Sequence, residues 1–209
     1  MSQKTTGLYS FTQVPILYET FQRALGITRT RKTLIRDYIR PASGARILDL
    51  GCGPAAILPF LIQATKVSYI GIDLNAAHIA SARTEHGDSG RFHAGDFASL
   101  KDELAGTVDL VICLGLLHHL EDDRVAELGR LAHSYLAPGG RFVAADPVFA
   151  DGQAWIARRL AAADAGQRVR KAEGYRSLIG QAFAGCQSHV RHDLLRVPYS
   201  HCITVATKQ

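Results

Sequence analysis

Residues 46–56 read RILDLGCGPAA. Ile47, Leu48 and Leu50 make a short buried strand, and Gly51-Cys52-Gly53 a turn with little side-chain bulk. Pro54 then suits the first position of a helix, where its missing N–H costs nothing. A strand that runs through glycines into a helix start brings bare backbone N–H groups and a dipole end close to a ligand. Read literally, Gly51-x-Gly53-x-x-Ala56 fits a dinucleotide fingerprint, with Asp73 standing where a ribose-binding acid belongs. Two features oppose a pyrophosphate here: Asp49 puts negative charge beside the turn, and Pro54 removes an N–H from the helix mouth. A ligand with a positive centre and a sugar suits both features better.

Three later stretches extend the pattern: Tyr69-Ile70-Gly71-Ile72-Asp73, Ala94-Gly95-Asp96-Phe97 and Leu136-Ala137-Pro138-Gly139-Gly140. With Asp49-Leu50-Gly51-Cys52-Gly53-Pro54, in this order and spacing, they resemble the motifs of the class I S-adenosylmethionine-dependent methyltransferases. The likeness spans residues 46–146. Ala55 departs from it slightly, since the family often carries a third glycine there.

The resemblance implies an α/β fold, a three-layer α/β/α sandwich around a mostly parallel, seven-stranded Rossmann-like sheet. Its strand order is expected to be 3-2-1-4-5-7-6, with the last strand antiparallel. It implies S-adenosyl-L-methionine as cofactor and S-adenosyl-L-homocysteine as product. The expected cofactor-binding residues are Asp49, Gly51, Cys52, Gly53, Asp73, Leu74, Asp96, Phe97, Cys113 and Leu114. Asp73, closing the second strand, can accept from both ribose hydroxyls. By resemblance, the Asp96 carboxylate accepts from the adenine amino group and the Phe97 N–H meets a ring nitrogen.

A chain of 209 residues is expected to be one domain with a full core. It divides into N-terminal helices that form a possible lid (1–45), the cofactor core (46–146), a substrate-facing helical insertion (147–187) and the last two strands (188–209). The longest apolar run is too short to cross a bilayer, and the N-terminus lacks the apolar core of a signal peptide. Cys52, Cys113, Cys186 and Cys202 are scattered, without zinc spacing or a disulfide framework. No metal is expected, and the cytoplasm is the expected location.

The net charge of +5 is unevenly spread. Residues 47–146 hold 7 basic and 13 acidic side chains, residues 23–46 hold 7 and 1, and residues 147–198 hold 8 and 4. Basic flanks around an acidic centre are either solvated faces or surfaces that meet an anionic substrate, nucleic acid or an acidic partner.

Along the chain, Val14, Leu17, Tyr18, Phe21 and Leu25 recur at helical spacing, closed by Gly26. A second helix is expected over residues 30–39. Tyr9, Phe11 and Tyr18 are candidates to line the pocket. Pro59 is tolerated only in a first turn, which places the helix after the glycines at about Ala56. Helices are further expected over residues 76–85, with Asn75 as cap, and over residues 124–136. Two more are expected around 153–163 and Tyr175–Phe183. In the first of these, Trp155, Ile156 and Leu160 form the apolar side. Strands are expected at 68–73, 91–94, 108–114, 141–146, 188–196 and 199–207.

Leu117-His118-His119-Leu120 follows the fourth strand. Adjacent side chains diverge, so one histidine faces the substrate: His118 is the expected catalytic and substrate-binding residue, with His119 packing. The Leu-His-His pattern resembles the small-molecule branch of the family. Tyr9 and His201 are further substrate-binding candidates, with Tyr199 beside His201. The expected function is methyl transfer to a small polar or anionic acceptor, with O-methylation preferred. A hydroxyl acceptor needs a base of near-neutral pKa.

Three alternatives remain. The basic flanks motivate an RNA or nucleotide methyltransferase. However, the Asn/Asp-Pro-Pro-aromatic motif of amino-methylating nucleic-acid enzymes is replaced by Leu114-Gly115-Leu116-Leu117, and no RNA-binding module is recognisable. A nicotinamide-dependent oxidoreductase and an inactive cofactor-binding interaction protein are the other two.

Overall fold

The computed structural model describes residues 26–163 and 168–209. Tyr9, Phe11, Tyr18 and the helix expected over residues 14–25 lie outside the described residues. The first described helix, α1 (Ile27–Leu34), starts at Gly26 and widens into a π-type turn over Ile35–Ile39.

The seven strands are β1 (Ala45–Leu50), β2 (Val67–Asp73), β3 (Arg91–Ala94), β4 (Val108–Leu114), β5 (Leu136–Pro147), β6 (Gln187–Arg191) and β7 (His201–Thr207). They form one sheet in the order β3-β2-β1-β4-β5-β7-β6. β1 to β5 pair in parallel, and β7 runs antiparallel to both β5 and β6. This is the order that the resemblance implies. The interleaved helices are α2 (Leu58–Ala64), α3 (Ala76–His86), the short α4 (Lys101–Leu104), α5 (Asp122–Tyr135), α6 (Trp155–Ala162) and α7 (Ala172–Gly180).

Period-2 alternation sends each strand's side chains to two cores. On one face Leu48, Leu50, Val111, Cys113, Phe142 and Ala144 pack with Leu128, Ala132 and Ile179 from α5 and α7. On the other, Ile47, Leu110, Ile112, Val143 and Ile203 pack with Leu34, Ile39, Leu58 and Leu61. In β5, just after its Pro-Gly-Gly turn, the Arg141 guanidinium donates to the carbonyls of Tyr38 (2.7 Å) and Ile39 (3.1 Å), which closes the C-terminal end of the first helical element.

Three local expectations are corrected. The helix after the glycines begins at Leu58 rather than near Ala56, and Pro54 lies in a turn ahead of it. Ala55 has φ 56, a left-handed residue that interrupts any helix running from Pro54. Pro59 still falls in the first turn. In α6, the buried residues are Ala157 and Ala161 at i, i+4, whereas Trp155, Ile156 and Leu160 are exposed. The alanine stripe, not the large side chains, faces the protein. β5 starts at Leu136, ahead of the Pro-Gly-Gly turn, because Leu136 pairs with Val108 across a register shift. Among the described residues no helix is long and apolar enough to cross a membrane.

Candidate active site

The carboxyl ends of β1 and β2 are stitched together by the turn that follows β1. The N–H groups of Gly51 and Cys52 both donate to the Ile72 carbonyl, at 2.8 and 3.1 Å. Gly51 and Gly53 have φ 74 and 53, conformations that glycine adopts without strain. A Cβ on Gly51 would lie 2.9 Å from the Leu116 side chain, whereas one on Gly53 would meet nothing within 4 Å. The turn is therefore covered on one side and open on the other.

The open side is bordered by Asp73. Its two carboxylate oxygens accept from the N–H of Gly53 (2.9 Å) and of Asn75 (2.7 Å). Each oxygen keeps a second lone pair, so the fixed carboxylate can still grip two hydroxyls. Leu74, next to it, is 66% exposed. Asn75 accepts from the Ala77 N–H and caps α3, as the sequence suggests. Asp96 caps the short 3-10 turn over Phe97–Leu100 through the Ala98 N–H (2.9 Å) and keeps its side chain half exposed. Phe97 is buried, and its carbonyl accepts from the Tyr135 hydroxyl.

Asp49 sits beneath the turn rather than at its mouth. It is 2% exposed and accepts from the Tyr69 hydroxyl at 2.6 Å. Burial pushes its carboxyl up to about 7, the Asp73 charge adds to this, and the Tyr69 bond opposes it. The side chains of Cys52 and Cys113 are also buried, and burial pushes both thiols up, out of the nucleophilic range. Cys52 fills the space that Gly71 leaves on β2, where a Cβ would come within 2.8 Å of its Sγ. These two cysteines can meet a ligand through backbone only. Leu114, at the end of β4, is half-buried.

His118 lies in the 3-10 turn Leu117–His119 that follows β4. Its Nδ1 lies 2.8 Å from Asp146 Oδ1, and the same oxygen accepts from its backbone N–H at 3.2 Å. Both side chains are almost fully buried. The His119 ring lies tilted by 39° against the His118 ring with centroids 4.1 Å apart, so the two side chains pack together rather than diverge as the sequence suggests, and only His118 is buried. Gly115, φ 72, leaves the Cε1 edge of His118 uncrowded: a Cβ there would sit 4.0 Å away. Arg170 holds the turn from outside, donating to the carbonyls of Leu117 (2.8 Å) and Leu120 (2.6 Å) and to the Asp122 carboxylate. His201 starts β7 at the same sheet edge, opposite Pro147, on the face away from Asp146. Its ring packs 5.1 Å from Tyr199.

The arrangement offers two carboxylates held by backbone N–H groups, an open glycine and a buried acid whose pKa burial raises to about 7. These groups are compatible with an adenosyl compound that carries a positive centre. A sequence profile of the methyltransferase domain family matches residues 47–140. Those residues carry the methyltransferase domain. Ubiquinone biosynthesis O-methyltransferase of Pseudomonas aeruginosa is 32% identical over 102 residues, covering 47% of this chain and 43% of the relative. The protein of the same name from Azotobacter vinelandii is 30% identical over 118 residues, covering 55% and 49%. The chain thus matches less than half the length of these relatives. Among solved structures, the S-adenosylmethionine-dependent methyltransferase SibL superposes with a TM-score of 0.73 at 17% identity, over 96% of this chain and 60% of that one. An S-adenosylmethionine-dependent methyltransferase from Mesorhizobium loti gives 0.64 at 22% identity, over 88% of this chain and all of that one.

Three features of the methyltransferase site escape sequence reasoning. Asp146 ends an apolar strand and looks like a strand terminus; only the pairing of β4 with β5 brings it to His118. Tyr69 reads as a core aromatic until its hydroxyl is seen on Asp49. Arg170 reads as part of a basic loop, yet its guanidinium is only 10% exposed and fixes the histidine turn. Arg158, Arg168 and Arg176, the other basic candidates of this region, engage Phe149, Glu121 and Glu173 instead. Among the described residues no cluster suits a metal ion.

Proposed function

We propose that this methyltransferase acts on an oxygen of a small polar or anionic acceptor, with His118 as general base and Asp146 orienting it. The observation that carries the proposal is the 2.8 Å contact between His118 Nδ1 and Asp146 Oδ1 at the carboxyl edge of the sheet. A carboxylate only accepts, so Nδ1 carries the proton and Nε2 keeps its lone pair. When bound, S-adenosylmethionine supplies a methyl group on a sulfonium leaving group. Asp73 and the open face of Gly53 hold the sugar end, and Asp96 and the Phe97 N–H read the base. His118 Nε2 takes the hydroxyl proton of the acceptor as its oxygen bonds to carbon, and Asp146 stabilises the imidazolium that results. Leu114 and Leu116 keep water from the reacting atoms, where alignment and dryness supply most of the acceleration. Two relatives named as O-methyltransferases support oxygen as the accepting atom. Four unpaired cysteines suit a reducing, cytoplasmic setting.

The test is a screen of hydroxylated acceptors for released S-adenosylhomocysteine, followed by His118→Ala and Asp146→Ala on the best one. Loss of the base is expected to cut kcat by about 10²- to 10⁴-fold while product affinity stays near wild type. Undiminished kcat in both variants, with lowered thermal stability, would assign the pair to structure alone.

A further inference from the structure

The two basic flanks, separated by the whole cofactor core in sequence, converge on one cleft. Arg29, Lys32 and Arg36 occupy i, i+3 and i+7 and so share one face of α1 and its continuation. Facing them are Arg191, the last residue of β6, and Arg196 in the loop that leads to β7. Together they line a cavity of about 740 Å³, within the range of small-molecule sites.

The cleft is built rather than incidental. Thr30 donates to the Leu194 carbonyl, which fixes α1 to the β6–β7 loop. Asp193 holds Arg191 in a fork (2.7 and 2.8 Å), and the Tyr38 hydroxyl lies 3.1 Å from the same guanidinium. Asp37 holds Arg36 in the same way (2.5 and 2.9 Å). Arg29, Lys32 and Arg196 form no ion pair with any described residue. Five cations therefore stand against two carboxylates, and a bound anion would relieve their mutual repulsion. The excess is larger than a single carboxylate offsets. Fixed guanidinium forks match phosphoryl oxygens.

The position of the cleft ties it to the reaction. β6 runs parallel to β1–β5 because both it and β5 oppose β7, so Arg191 lies on the same sheet edge as the glycine turn and His118. Arg191, His201 and Pro147 are cross-strand partners on β6, β7 and β5. Two strand spacings, about 10 Å, therefore separate the Arg191 backbone from that of Pro147, and the Arg191 side chain, like that of His201, leaves the sheet on the face away from Asp146. We infer that this cleft binds a phosphoryl group of the methyl acceptor, and that the acceptor crosses the carboxyl edge of the sheet from there for its hydroxyl to reach His118. The inference rests on the methyl-transfer reading above. It assigns His201, the midpoint of that line, to the wall along which the acceptor lies.

Calorimetry on the full chain tests it, with inorganic pyrophosphate and S-adenosylhomocysteine as separate titrants. Pyrophosphate is expected to bind, and the double variant Arg29→Ala/Lys32→Ala and the single variant Arg196→Ala to lose about tenfold or more in affinity each. All three side chains are exposed, so folding is not at stake, and S-adenosylhomocysteine binding reports it directly. Product binding without pyrophosphate binding, or pyrophosphate binding that neither variant weakens, overturns the cleft alone. Failure of the product to bind wild type overturns the methyl-transfer reading instead. A single-stranded RNA oligonucleotide that binds through these same residues while pyrophosphate does not would replace the acceptor by nucleic acid and refute the inference.

Discussion

Replacing Asp49 by Asn should make the empty protein more stable at alkaline pH while it weakens the cofactor site. The carboxyl is buried and held by one hydroxyl, and its pKa rises from 3.8 to about 7, chiefly by burial. An acid whose pKa is raised on folding keeps a proton that the unfolded chain has already released. Between about pH 4 and 7 the folded state thus binds more protons, and stability falls as pH rises, levelling off above the folded value. The rise from 3.8 to about 7, at about 1.4 kcal/mol for each tenfold change in proton affinity, sets a ceiling of about 4 kcal/mol, of which about 3 develops between pH 5 and 8. Asparagine resembles the protonated acid and cannot ionise, so its stability lacks this slope. Urea unfolding of both proteins at pH 5 and 8 isolates the effect from all other titrating groups. The gap in favour of Asp49→Asn should widen by about 3 kcal/mol across that range. A gap constant to within about 1 kcal/mol would show that residue 49 titrates as an ordinary exposed acid and would refute the reasoning. A bound sulfonium or ammonium favours the ionised form, so S-adenosylmethionine affinity should drop in the same variant.

Asp73→Ala removes the acceptor of two backbone N–H groups as well as the proposed sugar ligand, and calorimetric titration with S-adenosylhomocysteine should show binding abolished; unchanged affinity would contradict the ribose assignment. Ala55→Gly relieves a left-handed alanine and should raise stability to urea by about 1 kcal/mol, whereas Ala55→Val, β-branched at the same φ, should lower it by about 2 kcal/mol or more. Gly71→Ala drives a methyl against Cys52 Sγ and should cost about 1–3 kcal/mol. Combining it with Cys52→Ala should recover part of that loss, and strict additivity in the double-mutant cycle would mean the two residues do not press on each other.

The parallel sheet is readable because β1, β2, β4 and β5 are largely apolar runs that lead into a glycine or end at an acid, while the short β3, Arg-Phe-His-Ala, is placed by the motif that follows it, and the four motifs give the order. The cap at Asn75 and the fourth strand, Val108–Leu114, came out as the sequence suggests. What could not be read were contacts set by strand order rather than by spacing. Asp146 meets His118 only because β5 lies beside β4. Arg191 meets Arg29 only because β6 closes the sheet next to α1. The apolar side of α6 was misassigned because large side chains usually face inward, and here two alanines fit the closer approach. The late start of α2 turned on a single left-handed alanine, which local spacing does not announce.

The grip of Arg141 on the carbonyls of Tyr38 and Ile39 bears on how this chain can be shortened. A fragment cut at residue 45 would keep every motif yet strand that guanidinium, part-buried with its pKa lowered chiefly by burial, without its two acceptors. The same cut would take Leu34, Ile35 and Ile39 out of the core that they share with Ile47, Leu110 and Val143, so an excised version should retain the residues from Gly26 onward.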